Sequence, residues 1–88
     1  MEKIKIYTIQ NCGYCSKLKH LLIENNIEFD EIDCDLEENE RKFVALQKIS
    51  KSPNVPAIVL KNSILVADIS FKTIEEGIIL IKKILSED

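Results

Sequence analysis

The apolar residues of this chain follow two different spacings, and the order of these spacings constrains the fold more than any other feature. Apolar and polar residues alternate over 3–8, with Ile4, Ile6 and Thr8 on one face, which is typical of a strand. From Cys15 onward the apolar residues follow helical spacing. Continued along the chain, the pattern predicts strands over 3–8, 27–34, 57–60 and 64–67, and helices over 13–25, 36–49 and from Thr73 toward the end.

Two pairs of residues mark the starts of the later helices. Asp35 with Glu38, and Thr73 with Glu76, each have the spacing of a capping box. The terminal helix also contains Gly77, which costs up to about 1 kcal/mol relative to alanine, so we expect close packing there. Its predicted apolar stripe consists of Ile74, Ile78, Ile81 and Leu85.

The last two strands are separated only by Lys61-Asn62-Ser63, which predicts an antiparallel hairpin with Asn62 in its turn. The first two strands are joined by a helix and are therefore expected to be parallel. The element order is β-α-β-α-β-β-α. It predicts an α/β protein with a four-stranded mixed sheet and helices on both faces.

Length and composition limit the possible functions. The 88 residues predict one domain spanning 1–88. A net charge of −3 with interspersed lysines gives no basic stripe, so nucleic acid is not expected as a partner. The opening 1–5 is charged and no apolar run approaches about 20 residues, so we expect no signal peptide or membrane anchor. Three cysteines fit a reducing compartment, and the expected location is the cytoplasm.

A Cys12-Gly13-Tyr14-Cys15 motif lies where the first strand gives way to the first helix. Cys12 would be surrounded there by unpaired N–H groups at the positive end of the helix dipole, which stabilise a thiolate. Cys15 is in register with the buried Leu18 and Leu22, so it should be shielded. This asymmetry assigns Cys12 as the nucleophile that attacks a disulfide and Cys15 as the residue that resolves the mixed disulfide. The motif at the end of the first strand, with the element order above, is typical of the short thioredoxin fold.

A zinc site is the alternative interpretation, since Cys12, Cys15, Cys34 and His20 are four possible ligands. On a helix, however, His20 lies about 7.5 Å along the axis from Cys15 and about 140° around it, so the side chains diverge. We therefore predict no metal site and no permanently bound cofactor. Cys34 is interpreted as a small core residue and His20 as a surface residue.

The sequence resembles the glutaredoxins in Ile6-Tyr7-Thr8, in the motif at 12–15, in Asn54-Val55-Pro56 and in the terminal helix. The resemblance implies a cis peptide bond at Pro56 and a Val55 backbone that pairs with an extended substrate. It further implies glutathione as co-substrate. The residues it assigns to substrate or glutathione binding are Tyr14, Asn54, Val55, Pro56, Ala67 and Asp68.

The sequence departs from the glutaredoxin pattern where glutathione would bind. Gly13 replaces the usual proline, and 9–11 lacks the usual Lys or Arg. Val66-Ala67-Asp68-Ile69-Ser70 stands where glutaredoxins have a Gly-Gly pair followed by Asp. Asp68 or Ser70 could still bind the amino end of glutathione. The candidates for its glycyl carboxylate are Arg41, Lys42 and Gln47.

Three functions follow from these observations. The first is a monomeric dithiol reductase of disulfide-containing proteins or small disulfides, recycled by glutathione. The second has the same chemistry but is recycled by a flavoprotein of the thioredoxin reductase type, as in the redoxins that serve ribonucleotide reductase. The third is a carrier of a two-iron two-sulfur cluster held between two chains, for which Gly13 leaves space.

Overall fold

The computed structural model describes residues 3–86 and contains a four-stranded mixed sheet. In chain order its elements are strand β1 (Ile4–Thr8), helix α1 (Gly13–Glu24), strand β2 (Phe29–Asp33), a 3-10 turn (Glu37–Asn39), helix α2 (Glu40–Ser50), strands β3 (Ala57–Leu60) and β4 (Ser63–Val66), and helix α3 (Ile74–Ser86). This confirms the predicted element order and the thioredoxin-like fold.

The strands lie in the order β2-β1-β3-β4. β1 and β2 are parallel, while β3 is antiparallel to both β1 and β4. The hairpin turn between β3 and β4 is Lys61-Asn62, one residue shorter than predicted, and Lys61 has a positive φ of 51°. Asn62 is therefore in the turn, as expected.

Apolar residues cover both faces of the sheet. The larger cluster joins β1, β3 and β4 to α1 and α3, with Ile6, Leu18, Ile58 and Ile81 fully buried at its centre. On the opposite face, Leu46 of α2 packs with Ala57 and Val66 and is flanked by partly buried side chains, Tyr7 among them. Helices therefore lie on both faces, as the sequence predicts.

The capping box predicted at Thr73 is present at the start of α3. The Glu76 N–H donates to Thr73 Oγ1 at 3.1 Å, and the Thr73 N–H donates to Glu76 Oε1 at 3.0 Å. A Cβ added to Gly77 would lie 3.3 Å from the Phe71 ring, so the close packing expected at this glycine is confirmed.

Two local predictions are wrong. The Asp35-Glu38 capping box does not form: the chain makes a 3-10 turn at Glu37–Asn39, α2 begins at Glu40, and Asp35 accepts a hydrogen bond from another loop. Leu85 is 40% exposed, while Ile84 packs partly buried against the larger cluster. Ile84 therefore takes the place in the apolar stripe that was predicted for Leu85.

No helix within residues 3–86 is long and apolar enough to cross a membrane.

Candidate active site

Four chain segments meet at the edge of the sheet that the ends of its strands form. Tyr7, Ala57 and Val66 are aligned across β1, β3 and β4, so the residues just beyond them leave the sheet side by side. These are the loop after β1, the segment that enters β3 and the segment after β4. The end of β2 joins them, since the Cys34 N–H donates to the Thr8 carbonyl at 2.8 Å. Neighbouring strands lie about 4.8 Å apart, so side chains from all four segments can surround one small site.

Cys12 and Cys15 lie at this edge and are joined by a disulfide. Cys12 is the N-cap of α1 in an extended conformation, and its Sγ accepts a hydrogen bond from the Cys15 N–H at 3.1 Å. Cys12 is partly exposed, whereas Cys15 is only 2% exposed and lies on the buried face of α1 with Leu18 and Leu22. The outer sulfur is therefore the one that a reagent can reach, and a backbone amide already points at it.

The segment before β3 contains a cis peptide bond between Val55 and Pro56, as the resemblance implied. Pro56 is buried, and its carbonyl accepts from the Ala67 N–H at 3.2 Å. Val55 is half-buried and forms no hydrogen bond to another residue of 3–86. Its backbone N–H and C=O are therefore available to a bound molecule.

Asn54 and Ala67 connect this segment to the one after β4. The Asn54 side-chain amide donates to the Ala67 carbonyl at 2.9 Å, and the Asn54 N–H donates to the Oγ of the buried Ser52 at 3.1 Å. Ala67 is 4% exposed and uses both of its backbone groups in these contacts. Both residues lie at the predicted site, and their hydrogen bonds hold its two loops together.

Asp68 has an exposed side chain and a positive φ of 67°, and its N–H donates to the Phe71 carbonyl at 2.8 Å. Its N–H is thus already engaged, whereas its carboxylate is still able to bind a ligand. Ser70 Oγ accepts a hydrogen bond from the Val66 N–H at 2.9 Å. The hydroxyl proton of Ser70 is still available for donation.

Three apolar side chains of these segments are exposed: Ile9, Tyr14 and Ile69 are 37%, 55% and 63% exposed.

Arg41 and Lys42, predicted to reach a glycyl carboxylate, are exposed on α2. Arg41 lines a shallow groove with the acidic turn 37–38, and Lys42 lines a second groove beside Tyr7.

One residue of this edge was missed by sequence reasoning. The Asp35 carboxylate accepts a hydrogen bond from the Gln10 N–H at 2.6 Å and so ties the loop after β2 to the loop that carries Cys12. The Asp35 N–H in turn donates to Asp33 Oδ1 at 3.0 Å. Nothing in the local sequence indicates this contact, because Gln10 and Asp35 are 25 residues apart.

The other candidate zinc ligands are engaged in contacts of their own. His20 is exposed and its Nε2 lies 3.0 Å from Glu24 Oε1. Cys34 is a free, partly buried thiol whose S–H donates to the Ile32 carbonyl at 3.6 Å, and burial, with neighbouring Asp33, raises its pKa to about 11. Within residues 3–86, no three His, Cys, Asp or Glu side chains are grouped so that they could hold a metal ion.

Comparison with known proteins places these features in a family context. The model of the Glutaredoxin family matches residues 4–65. Glutaredoxin 1 of Rickettsia felis is 36% identical over 62 residues, which cover 70% of this chain and 61% of that protein. The chain thus spans about three fifths of the length of that relative.

Solved structures support the fold. A glutaredoxin from Archaeoglobus fulgidus superposes with a TM-score of 0.72 at 22% identity, covering 93% of this chain and 88% of the other. A buckwheat glutaredoxin-glutathione complex superposes with a TM-score of 0.64 at 20% identity, covering 72% and 58%. At these identities the likeness concerns the fold.

Proposed function

The chain belongs to the glutaredoxin family, and from this membership and the geometry of its cysteine pair we propose that it is a dithiol-disulfide oxidoreductase. It reduces protein or low-molecular-weight disulfides, with Cys12 as nucleophile and Cys15 as resolving residue. The observation that carries the proposal is the cysteine pair at the start of α1. There Cys12 Sγ accepts a hydrogen bond from the Cys15 N–H, and Cys15 is buried.

The reaction begins with the reduced pair. The Cys12 thiolate attacks one sulfur of the substrate disulfide, forming a mixed disulfide and releasing the other sulfur as a thiolate. Cys15 then loses its proton and attacks the Cys12 sulfur, which releases the second substrate thiolate and leaves the Cys12–Cys15 disulfide. Two electrons pass from the protein to the substrate. The amide that hydrogen-bonds Cys12 and the dipole of α1 both stabilise the attacking thiolate.

A substrate peptide would bind along Val55. The free backbone N–H and C=O of this residue support pairing with an extended chain, as in other cases of strand addition. Pro56, buried next to Val55, fixes the position of this segment at the edge of the site. Tyr14 would contribute an exposed ring beside the sulfurs.

Single-cysteine variants test the mechanism. Reduced Cys12→Ser should not reduce a protein disulfide in the absence of glutathione, because no exposed thiolate remains to attack. Cys15→Ser should accumulate a mixed disulfide at Cys12, which mass spectrometry of the intact protein detects. The matched control is Cys34→Ser, which should react like the unchanged protein. A Cys12→Ser protein that retained full activity would overturn the proposal.

Glutathione is proposed as the reductant that recycles the oxidised pair. The family supports this choice, and so does the buckwheat relative, whose structure is a complex with glutathione. The groups available to it are the Val55 backbone and the Asp68 carboxylate. Titration of the protein with glutathione, followed by amide chemical shifts, should give saturable changes at Val55 and Asp68. Shifts that stay unchanged would remove glutathione from the account and leave the dithiol chemistry standing.

A flavoprotein reductase is the second candidate for the reductant. Two observations favour it: 9–11 has no cation to bind a carboxylate of glutathione, and the Asp68 N–H is already bonded to Phe71. Assays that couple reduction of the pair to NADPH oxidation, with glutathione plus its reductase or with a thioredoxin reductase alone, would distinguish the two donors.

We further propose that the protein acts as a monomer in a reducing compartment, the cytoplasm. Three cysteines, of which two form the redox pair, support a compartment in which structural disulfides do not form.

A further inference from the structure

The charge at the edge of the sheet selects among possible substrates. We define the rim as the four segments that meet at the disulfide: 9–15, 34–35, 54–56 and 67–70. In the sequence the rim carries two carboxylates, Asp35 and Asp68, and no Lys or Arg. Both carboxylate residues are exposed. They lie at opposite sides of the sheet, one after the outer strand β2 and the other after the outer strand β4.

Asp35 places its charge close to the nucleophile. Its Oδ2 accepts the Gln10 N–H at 2.6 Å, and Gln10 is two residues before Cys12. Because consecutive Cα atoms are 3.8 Å apart, the carboxylate lies within about 11 Å of the Cys12 Cα. That is comparable to the Debye length of about 8 to 10 Å at moderate ionic strength, so the charge still acts on a molecule bound at Cys12.

The nearest lysines of α1 do not offset this charge. Lys17 Nζ lies 2.9 Å from Glu75 Oε2, and Lys19 Nζ lies 3.0 Å from Glu31 Oε2. Lys51 and Lys72 lie three and two residues beyond the ends of the rim segments, and both are exposed. Both ionised side chains of the rim are therefore acidic, and beside the positive end of α1 they favour a cationic group over a carboxylate.

The rim also presents the exposed apolar side chains of Ile9, Tyr14 and Ile69. Apolar contacts next to carboxylates suit a side chain with an aliphatic stem and a cationic end, as in lysine and arginine. We infer that the cysteine pair preferentially reduces disulfides with a positive charge beside the sulfur, in proteins a cystine flanked by Lys or Arg. This inference rests on the proposed function and names the substrate class of the same site.

Small symmetric disulfides test the inference without an unknown partner. Reduced protein in a single turnover is mixed with cystamine, which has two ammonium groups, with neutral 2-hydroxyethyl disulfide, or with 3,3′-dithiodipropionate, which has two carboxylates. Each second-order rate constant is divided by that of the same compound with the thiolate of 2-mercaptoethanol, which removes differences in intrinsic reactivity. In each reaction the protein dithiol is oxidised and two small thiols are released.

At about 10 Å in water, Coulomb's law gives about a twofold effect per pair of unit charges. Exchanging a cationic disulfide for an anionic one therefore changes the normalised rate constant about fourfold for each carboxylate. For two carboxylates with partial screening, we expect the cystamine rate to exceed the dithiodipropionate rate about tenfold at low salt. The ratio should approach one in 1 M salt. Asp35→Asn and Asp68→Asn should each lower it about threefold. Asparagine at 35 can still accept the Gln10 N–H, and asparagine at 68 tolerates the positive φ.

Glu28→Gln is the matched control, since it removes one charge at the opposite end of β2, where Phe29 pairs with Ile4. It should leave the ratio unchanged. Suppose that the protein reduces the neutral disulfide but the ratio of the cystamine rate to the dithiodipropionate rate is near one, or that neither aspartate variant lowers this ratio. Either result would overturn the inference alone. A protein that reduced none of the three disulfides would contradict the proposed function instead. If Asp35→Asn also slowed the neutral reaction, its loop would have shifted, and Asp68→Asn would decide the outcome.

Discussion

Thr8→Val removes one buried hydroxyl at the end of β1, just before the loop that carries Cys12. Thr8 is 1% exposed, and its Oγ1 donates to Glu31 Oε2 at 2.7 Å. Glu31 Oε2 also accepts a hydrogen bond from Lys19 Nζ at 3.0 Å. Valine has nearly the same shape as threonine and suits a strand, so the variant mainly removes this hydrogen bond.

A hydrogen bond to a charged group contributes about 1.5 to 3 kcal/mol in proteins. The Glu31 side chain is 34% exposed and keeps Lys19 as a partner, so water can replace part of the loss. We therefore expect Thr8→Val to lower the free energy of unfolding by about 1 to 1.5 kcal/mol at pH 7.

The loss in the free energy of unfolding that Thr8→Val causes should depend on pH. The hydrogen bond from Thr8 is the main reason that the pKa of Glu31 lies below its usual value in the folded protein. A carboxyl group with a lowered pKa stabilises the fold above its unfolded pKa of about 4.3, and this stabilisation is lost as the pH falls through the folded pKa. The difference between Thr8→Val and the unchanged protein should therefore shrink at pH 3.

Urea denaturation at pH 7 and pH 3 measures this difference. Glu31→Gln serves as the companion variant, because in its background Thr8→Val should cost less and should lose its pH dependence. A cost that was equal at both pH values, or larger at pH 3, would refute the argument that the hydroxyl acts through the Glu31 carboxylate.

Further predictions concern the start of α3 and the third cysteine. Thr73→Ala should destabilise the protein by about 1 kcal/mol in urea denaturation, because the Glu76 N–H loses its cap, whereas an unchanged midpoint would show that the cap contributes nothing. Gly77→Val should cost about 1 to 3 kcal/mol in the same assay, because the Phe71 ring lies 3.3 Å from the added Cβ. With a pKa of about 11, the Cys34 thiol should react with iodoacetamide at pH 8 at least tenfold more slowly than an ordinary exposed thiol, and an equal rate would contradict its burial.

Features encoded within a few residues were predictable from the sequence. The capping box at Thr73 is complete within four positions, so its spacing alone indicates it. The burial of Cys15 follows from its register with Leu18 and Leu22 on the apolar face of α1. The hairpin of β3 and β4 was predictable because two β-prone segments are separated by a short polar turn.

Features that depend on distant contacts were not predictable in this way. Asp35 and Glu38 have the spacing of a capping box, yet the Gln10 N–H, 25 residues away, takes the Asp35 carboxylate instead. A single sequence contains no signal for such a pair. The hydrogen bond from the Asp68 N–H to the Phe71 carbonyl was also not predicted. The cysteine pair could therefore be placed from the sequence, while the charge and hydrogen bonding around it required the structure.

The proposed mechanism depends on α1 holding the Cys12 sulfur as a thiolate. The most direct test is the rate of iodoacetamide alkylation of the reduced Cys34→Ser protein as a function of pH, with the modified residue identified by peptide mass spectrometry. We expect Cys12 to react first, with an apparent pKa below the usual value of about 8.5 for a free thiol. An apparent pKa of 8.5 or higher at Cys12, or faster modification of Cys15, would contradict it.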